Sequence, residues 1–283
     1  MTMQVWTVPA PMRPFVASVW RVDGLPAPHA LERLVPTGGM QLLVNLAEDE
    51  LRWWAGDPLG AARRLRGGAV QGAFAGPVTI DTAQQRQITG VSFTPGGAAA
   101  FLPGSMRSFA NDHVDFTDVP GLEHLRDRLL EAHDRGPWVL RETWLAILRS
   151  RWAPERPCMT AHRQALESGL SVRTAAQTLG QSERGFRRAV CSSVGLSPKA
   201  YARVARIQRL VRATSTRGRQ DWAALAARFG FVDQSHLIHE FKALVGLTPT
   251  AFVPRSLAEP THGVLHTADF YKTRAHRPDM QLG

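Results

Sequence analysis

The feature that most constrains the fold of this chain is an internal repeat in its last third. The stretch 171–180, SVRTAAQTLG, and the stretch 221–230, DWAALAARFG, share a leading Ser or Asp, a central pair of alanines and a final glycine. Each is followed by a turn and a second helical stretch, and these end in VGLSP and VGLTP. Two copies are too few for a solenoid, so the repeat predicts two small helical bundles. We expect them to be joined by a long helix that Pro198 opens and that runs to about residue 213.

Each copy has the features of a helix-turn-helix, in which the second helix is the one placed in the major groove of DNA. A Ser or Asp suits the N-cap of every helix, and a Gly suits the left-handed position that ends the first helix. These residues are Ser171, Ser182, Asp221, Asp233, Gly180 and Gly230.

On the second helix of the first copy, helical spacing places Phe186 and Val190 on the core face. Arg184, Arg187 and Arg188 then lie on the outer face near the helix N-terminus, where arginine can bind guanine bidentately. The alternative is a solvated face with i,i+4 ion pairs, although Glu183 is the only acid near them on this helix.

On the second helix of the second copy, Leu237 and Phe241 take the core face. The side chains predicted to point outward are Gln234, Ser235, Ile238, His239 and Lys242. Glutamine can read adenine, and isoleucine can meet a thymine methyl group. Lys242 fits a phosphate contact or plain surface, and the same holds for arginines 203, 206 and 209 on the connecting helix.

The charge of the chain is concentrated in the same region. Residues 1–159 carry 16 Lys and Arg and 16 Asp and Glu, whereas residues 160–254 carry 14 against 5. A basic field confined to one segment predicts a polyanionic partner, nucleic acid or an anionic membrane, with a merely solubilising surface as the other interpretation. No stretch approaches the ~20 apolar residues that a membrane helix needs.

The first 120 residues predict an antiparallel sandwich or partial barrel. Short stretches rich in β-formers, at 16–20, 40–46, 51–54, 78–80 and 88–93, alternate with Gly- and Pro-rich turns that include 67–68. Helical spacing begins near residue 122, and a second helix is predicted at 138–152. We therefore predict an α+β protein of two domains: residues 1–120 β-rich, 121–157 a helical connector with a linker at 153–157, 158–255 all helical, and 256–283 a polar, disordered tail.

Catalytic and metal-binding patterns were not found. His29, His113, His124 and His133 are scattered, and neither a Gly-x-Ser-x-Gly motif nor a P-loop occurs. The two cysteines, Cys158 and Cys191, give no disulfide framework, which suits a reducing cytoplasm. We expect no enzyme activity, no cofactor and no metal, and a cytoplasmic location on the nucleoid.

Two features of the first half stay open. One of Trp53 and Trp54 should face inward, since neighbouring strand residues alternate, and it lines either the core or a pocket. Asn45, inside an apolar run, is either a satisfied core group or a ligand contact.

Residues 159–254 resemble the DNA-binding domain of the AraC/XylS family. The matching motif reads G-F-x-D-x-S-x-L-x-H-x-F-K from Gly230 and G-x-T-P-x-x-F from Gly246, and the first copy has S-x-R-x-F-x-R from Ser182. The resemblance implies seven helices and two readers in successive major grooves. This chain departs from the family pattern at Val190 and Leu237, where Phe is usual, and at His239, where Arg is common.

The first half resembles the N-terminal domain of uncharacterised members of that family, through Leu34-Val35-Pro36-Thr37-Gly38 and the stretch 90–97, GVSFTPGG. This resemblance implies a cupin-like sensor or dimerisation module. The sequence thus predicts a sequence-specific transcriptional regulator that binds double-stranded DNA, with a small-molecule effector, RNA polymerase and a second copy as candidate partners. The alternative is an effector-independent or architectural DNA-binding protein whose first domain only dimerises.

Overall fold

The structure, a computed structural model, describes residues 2–24, 28–153, 159–214, 220–256 and 260–265. Its first half is built from two antiparallel sheets. The strands are β1 (Thr2–Trp6), β2 (Val16–Asp23), β3 (Leu31–Leu34), β4 (Gln41–Asn45), β5 (Leu51–Ala55), β6 (Arg63–Leu65), β7 (Gly68–Gln71), β8 (Val78–Asp81), β9 (Gln87–Phe93), β10 (His113–Asp115) and β11 (His262–Leu265). One sheet has the order β1-β2-β9-β4-β7-β10 and the other β11-β3-β8-β5-β6.

All five strands predicted from apolar patterning are present, as β2, β4, β5, β8 and β9. Apart from β1, the strands that patterning missed have only three or four residues. In β3, with sequence LERL, Glu32 and Arg33 are fully buried, so charged residues stand where a pattern search expects apolar ones. Gly68, predicted to be part of a turn, instead begins β7.

The helices follow the predicted order: α1 (Leu125–Asp134), α2 (Pro137–Arg151), α3 (Thr160–Glu167), α4 (Val172–Thr178), α5 (Glu183–Val194), α6 (Pro198–Thr214), α7 (Trp222–Phe229) and α8 (Gln234–Val245). The two-domain α+β architecture is confirmed. Between residues 159 and 254 the described part holds six α-helices, not the seven expected. After α8 the chain makes one hydrogen-bonded turn, in which the amide of Phe252 donates to the carbonyl of Thr248.

The N-caps predicted for the two repeats are confirmed. Ser171 and Ser182 accept hydrogen bonds from the amides of Thr174 and Gly185, each at 3.1 Å. Asp221 caps α7, and Asp233 caps α8 with a bond of 2.7 Å from His236. Gly180 and Gly230 both have the left-handed φ that ends a first helix. Local chemistry therefore sets both helix-turn-helix units.

The two halves share one continuous apolar core. On α6, the ring of Tyr201 lies against Gly38, and the side-chain amide of Gln208 donates to the carbonyl of Pro36 at 2.7 Å. These two residues are two helical turns apart, so they present one face of α6 to the loop before β4. The connecting helix is thus docked along the N-terminal domain.

The expectation of a disordered tail is wrong for residues 262–265. These form β11, which pairs with β3 in four register positions at the edge of the second sheet. The tail residues 257–259 and 266–283 lie outside the described part, as does the predicted linker except for Ala153. The domain boundaries stay a prediction, since one sheet includes a strand from beyond residue 256.

Candidate nucleic-acid interface

The second helix of the first helix-turn-helix unit, α5, is termed the first reading helix after its predicted role, as α8 is termed the second, and it has the two faces that its spacing predicts. Phe186 and Val190 are buried, and the ring of His162 stacks on Phe186 at 5.2 Å between centroids. Arg184, Arg187 and Arg188 are exposed.

These three arginines differ in their partners. Arg187 donates from Nε to Glu183 at 3.1 Å, and this hydrogen bond, with the nearby arginine charges, lowers the pKa of Glu183. Arg184 and Arg188 have no partner among the described residues. The solvated, ion-paired alternative therefore applies to Arg187, while Arg184 and Arg188 keep all their donors for another molecule.

The second reading helix, α8, presents Gln234, Ser235, His239 and Lys242 to solvent. The prediction that Ile238 points outward is wrong, because its side chain is half-buried and packs on the apolar core. Its neighbour on the inner face, Leu237, is fully buried. Ile238 therefore lies at the edge of the buried face of α8, and the exposed face of this helix is polar.

Two arginines of α6 hold the second bundle together. Arg203 makes a bidentate pair with Glu240 of α8, at 2.7 and 3.0 Å. Arg206 donates to the carbonyl of Gly230 at 3.1 Å and lies over the ring of Phe231. Burial opposes ionisation of Glu240, but the hydrogen bond and charge of Arg203 lower its pKa overall. From the sequence alone, both arginines could be phosphate contacts or plain surface. Their partners, Glu240 and Gly230, are too distant along the chain to be predicted.

Both reading helices end against the N-terminal domain. Gly195, the left-handed residue after α5, is so close to the Met106 carbonyl that a Cβ on it would lie 2.8 Å from that oxygen. Gly246, in the same position after α8, packs against Arg33 and Pro77. The C-terminal ends of α5 and α8 are therefore anchored, and the exposed polar side chains named above, except Lys242, lie in the first half of their helix.

Sequence comparison agrees with this geometry. Residues 175–255 match a family described as a helix-turn-helix domain, and residues 7–115 match a domain of unknown function, DUF6597. The C-terminal domain is a helix-turn-helix domain of the AraC type. The chain is thus a DNA-binding transcription regulator. No curated protein matches the chain in sequence.

The chain also shows a distant likeness in fold to crystal structures of ToxT from Vibrio cholerae. A structure from strain O395 has 9% sequence identity and a TM-score of 0.42, over 82% of this chain and 94% of that one. A 1.65 Å structure has 9% identity and a TM-score of 0.44, over 88% and 97%. A third, of ToxT from strain SCE256 with a bound unsaturated fatty acid, has 10% identity and a TM-score of 0.41, over 82% and 91%.

Beside its AraC-type domain the structure contains a cavity of about 680 Å³ between the β-sheets and α6. Trp53 is buried in its wall, whereas Trp54 points away and donates to the carbonyl of Gly60 at 3.1 Å. Trp53 thus faces inward and Trp54 faces outward, as the alternation of side chains along a strand predicts. Asn45 is resolved as a structural group, because its side chain bonds the carbonyl of Glu50 and the amides of Ala47 and Glu48.

One scattered histidine also lines this cavity. His113 packs between Trp53 and Phe74, with ring centroids 4.4 and 5.3 Å away. Burial, and then the charge of Arg63, lowers the pKa of His113 to about 3. It is neutral at pH 7 and acts as an aromatic wall. In the described ranges, no cluster of His, Cys, Asp and Glu is arranged to hold a metal, and no helix has the length and apolar composition of a membrane span.

Proposed function

We propose that this protein is a sequence-specific regulator that reads double-stranded DNA with α5 and α8. The observation that carries the proposal is the repeated placement of unburied polar side chains at the outer N-terminal part of a capped second helix, once in each AraC-type motif. The field around them is basic, as expected for a surface that approaches phosphates.

Each reading residue has a role that follows from its chemistry. Arg184 and Arg188 suit guanine, since their guanidinium groups are not paired within the described chain. Arg187 can contact DNA only if it breaks its ion pair with Glu183 and binds a base or a phosphate instead. On α8, Gln234 suits adenine, Ser235 and His239 are weaker readers, and Lys242 suits a phosphate.

Control of DNA binding belongs to the N-terminal domain in this proposal. The cavity supports a small-molecule effector, because its size is typical of ligand sites and the connecting helix α6 forms part of its wall. A homodimer and RNA polymerase complete the proposed partners, since regulators of this kind act on paired DNA sites at promoters.

The test is selection of binding sites from a random duplex library with the full chain, followed by footprinting on a selected sequence. We expect a discrete protected site of about 20 bp at moderate salt. The double variant Arg184→Ala/Arg188→Ala, checked for folding by circular dichroism, should lose the footprint. Continuous coating of DNA without a discrete site would instead support the architectural alternative, and absence of binding would reject both.

A further inference from the structure

The first helix-turn-helix unit, residues 171–195, contains one acidic residue, Glu183, among four arginines. We propose that Glu183 is a specificity-determining residue, which holds Arg187 and attracts Arg173 and so keeps both from the phosphates of non-specific DNA. This inference rests on the proposed function, because it concerns the same DNA-reading surface.

The other acidic residues of the helical half have structural roles. Asp221 and Asp233 cap α7 and α8, and Glu240 is paired with an arginine of α6. Glu167 accepts a hydrogen bond from a buried tyrosine. Glu183 differs from these four, because its partners are exposed arginines beside the reading surface.

The two helix-turn-helix units use the acid at the start of their second helix differently. In the second unit the acid is the N-cap, Asp233, whose carboxylate is occupied by the amide of His236. In the first unit the N-cap is Ser182, which bonds the amide of Gly185. The acid that follows it, Glu183, is therefore not needed as a cap, and its carboxylate is available to other side chains.

Glu183 joins two helices through these side chains. One carboxylate oxygen accepts hydrogen bonds from Arg187, from Nε at 3.1 Å and from one terminal nitrogen. The other oxygen lies 4.0 Å from Nε of Arg173 on α4. In the second unit the corresponding positions hold Ala, Gln and Ile, at 223, 234 and 238, so this charged cluster belongs to the first unit alone.

The cluster matters more for DNA binding than for folding. The side chains of Arg187 and Glu183 are 52% and 38% exposed, and water screens an ion pair in such a position, so it contributes little to stability. Each arginine that reaches a phosphate releases counterions, and one added contact raises the affinity roughly eightfold at about 0.1 M salt. A carboxylate that withholds arginines from phosphates therefore has its main effect on DNA affinity.

This effect should differ between random and selected DNA. Non-specific binding depends on phosphate contacts, so withheld arginines weaken it directly. At a selected site, base contacts of Arg184 and Arg188 fix the position of α5, and an arginine on the same helix cannot seek a phosphate independently. Glu183 should therefore weaken binding to random DNA more than binding to the selected site, which raises the ratio of the two affinities.

The central test is Glu183→Gln in the full chain, with affinities for a selected site and for a random duplex measured over a range of salt concentrations. At about 0.1 M salt we expect the affinity for random DNA to rise at least fivefold, with a salt slope steeper by about one to two. The affinity for the selected site should rise less than twofold. An equal rise on both duplexes, or no rise on random DNA, would overturn the proposal.

Two further variants serve as controls for charge and folding. Glu131→Gln changes the net charge equally at an exposed position of α1, and it should leave both affinities unchanged within about 1.5-fold. If thermal melting shows that Glu183→Gln does not fold, Glu183→Asp replaces it. Aspartate keeps the charge that a helix N-terminus favours but has a shorter reach to Arg187, so it should change the affinities in the same direction.

A double-mutant cycle separates the holding of arginines from direct repulsion of DNA by the carboxylate. In an Arg173→Gln/Arg187→Gln background, Glu183→Gln should raise the affinity for random DNA less than twofold, because the arginines to be released are absent. A rise as large as in the parent chain would show direct repulsion and would reject the proposed mechanism. A changed base preference at one position of the site, with constant affinity for random DNA, would instead assign Glu183 to base reading and also reject it.

A measurement without DNA distinguishes failure of this inference from failure of the proposed function. The Nε–H NMR signal of Arg187 should follow the ionisation of Glu183 with pH, with a midpoint below the ordinary pKa of glutamate, because Arg187 donates to the carboxylate. A signal that does not follow Glu183 would overturn the inference. If the signal behaves as expected and the parent chain gives no discrete footprint on any duplex, the proposed function is the one that fails.

Discussion

At the residue scale, partners decide what each arginine of the DNA-binding half can do. Arg187, Arg203 and Arg206 are engaged by Glu183, Glu240 and the carbonyl of Gly230. Arg184 and Arg188 are exposed and lack a partner within the described ranges. These arginines therefore differ in the donors that they can offer to DNA, and we expect the first reader to carry more of the sequence information than the second.

We predict that Arg188→Ala lowers the affinity for a selected DNA site by roughly 1–3 kcal/mol, because one bidentate base contact is lost. The loss on random DNA should be much smaller. Lys242→Ala should weaken both alike, as expected for a phosphate contact. Fluorescence anisotropy with labelled duplexes measures all four affinities. A larger loss of specificity in His239→Ala than in Arg188→Ala would reverse the ranking of the readers.

A second residue-scale prediction concerns Glu32, whose side chain is fully buried. Burial alone would raise its pKa, but hydrogen bonds and charges from His262 and Arg255, with a hydrogen bond from His29, lower the pKa to about 2. A carboxyl with a lowered pKa in the folded state stabilises the protein above its unfolded pKa, and that contribution is lost as the pH falls toward the folded pKa.

Glu32→Gln should therefore reduce the free energy of unfolding by about 3 kcal/mol at pH 7, since it breaks the buried ion pair between Glu32 and Arg255. Between pH 7 and pH 3.5 the difference from the parent chain should narrow by roughly 1 kcal/mol, because the parent carboxylate begins to be protonated in the unfolded state. Urea denaturation at both pH values measures this. A difference that stays constant with pH would show that Glu32 has an ordinary pKa.

At the element scale, β11 ties the end of the DNA-binding half to the N-terminal sheet. It returns beside the segment after α8, where the amide of Val264 donates to the carbonyl of Val253 at 3.0 Å, and it pairs with β3 on its other side. Phe252 lies between α8 and this strand, with its ring 5.8 Å from that of Phe241 and close to Gly263. The strand covers the edge of β3, which would otherwise expose backbone hydrogen-bonding groups.

We predict that Gly263→Ala loosens this strand, because the added Cβ would lie 2.3 Å from the ring of Phe252. The overpacking should lower the free energy of unfolding by about 1–3 kcal/mol. Gly76→Ala is the matched control, since nothing lies within 4 Å of a Cβ at that position. Thermal melting and amide exchange in β3 report the change. Equal stability of the two variants would mean that β11 is not packed through Phe252.

At the scale of the whole molecule, the basic charge lies in one half of the chain and the surface that supports the reading helices lies in the other. The N-terminal 159 residues are balanced in charge, and residues 160–254 carry the basic excess. The C-terminal ends of both reading helices are seated on that balanced part, at Met106 and at Arg33. We therefore expect the N-terminal domain to fix the placement of α5 and α8, and the helical domain to supply the attraction to DNA.

This separation predicts a steep dependence of DNA binding on salt. With about six phosphate contacts, log K should fall against log salt with a slope of about −5, since each contact releases counterions. Titrations between 50 and 200 mM salt measure the slope. Reversing charges in the N-terminal half, for example Arg64→Glu, should leave the slope unchanged, because Arg64 is paired with Glu50 there. A slope near zero would remove nucleic acid as the partner of the basic surface.

The sequence by itself determined whatever depends on neighbours along the chain. Caps such as Ser182 and Asp233 bond amides three residues away, and the buried faces of α5 and α8 follow from a period of 3.6 residues. These interactions are local, so the two helix-turn-helix units and the five clearly patterned strands could be predicted. The exposed arginines of α5 followed from the same periodicity.

The tertiary structure alone decided whatever joins residues that are distant along the chain. The tail was predicted to be disordered because residues 256–283 are polar with little periodicity. Within it, β11 is nevertheless held by pairing with β3 and by the ion pairs of Glu32. The partners of Arg203 and the docking of Gln208 on Pro36 join residues 37 and 172 positions apart. The cavity likewise combines sheet residues with α3 and α6. Such contacts depend on how the elements pack together, which no local pattern of residues records.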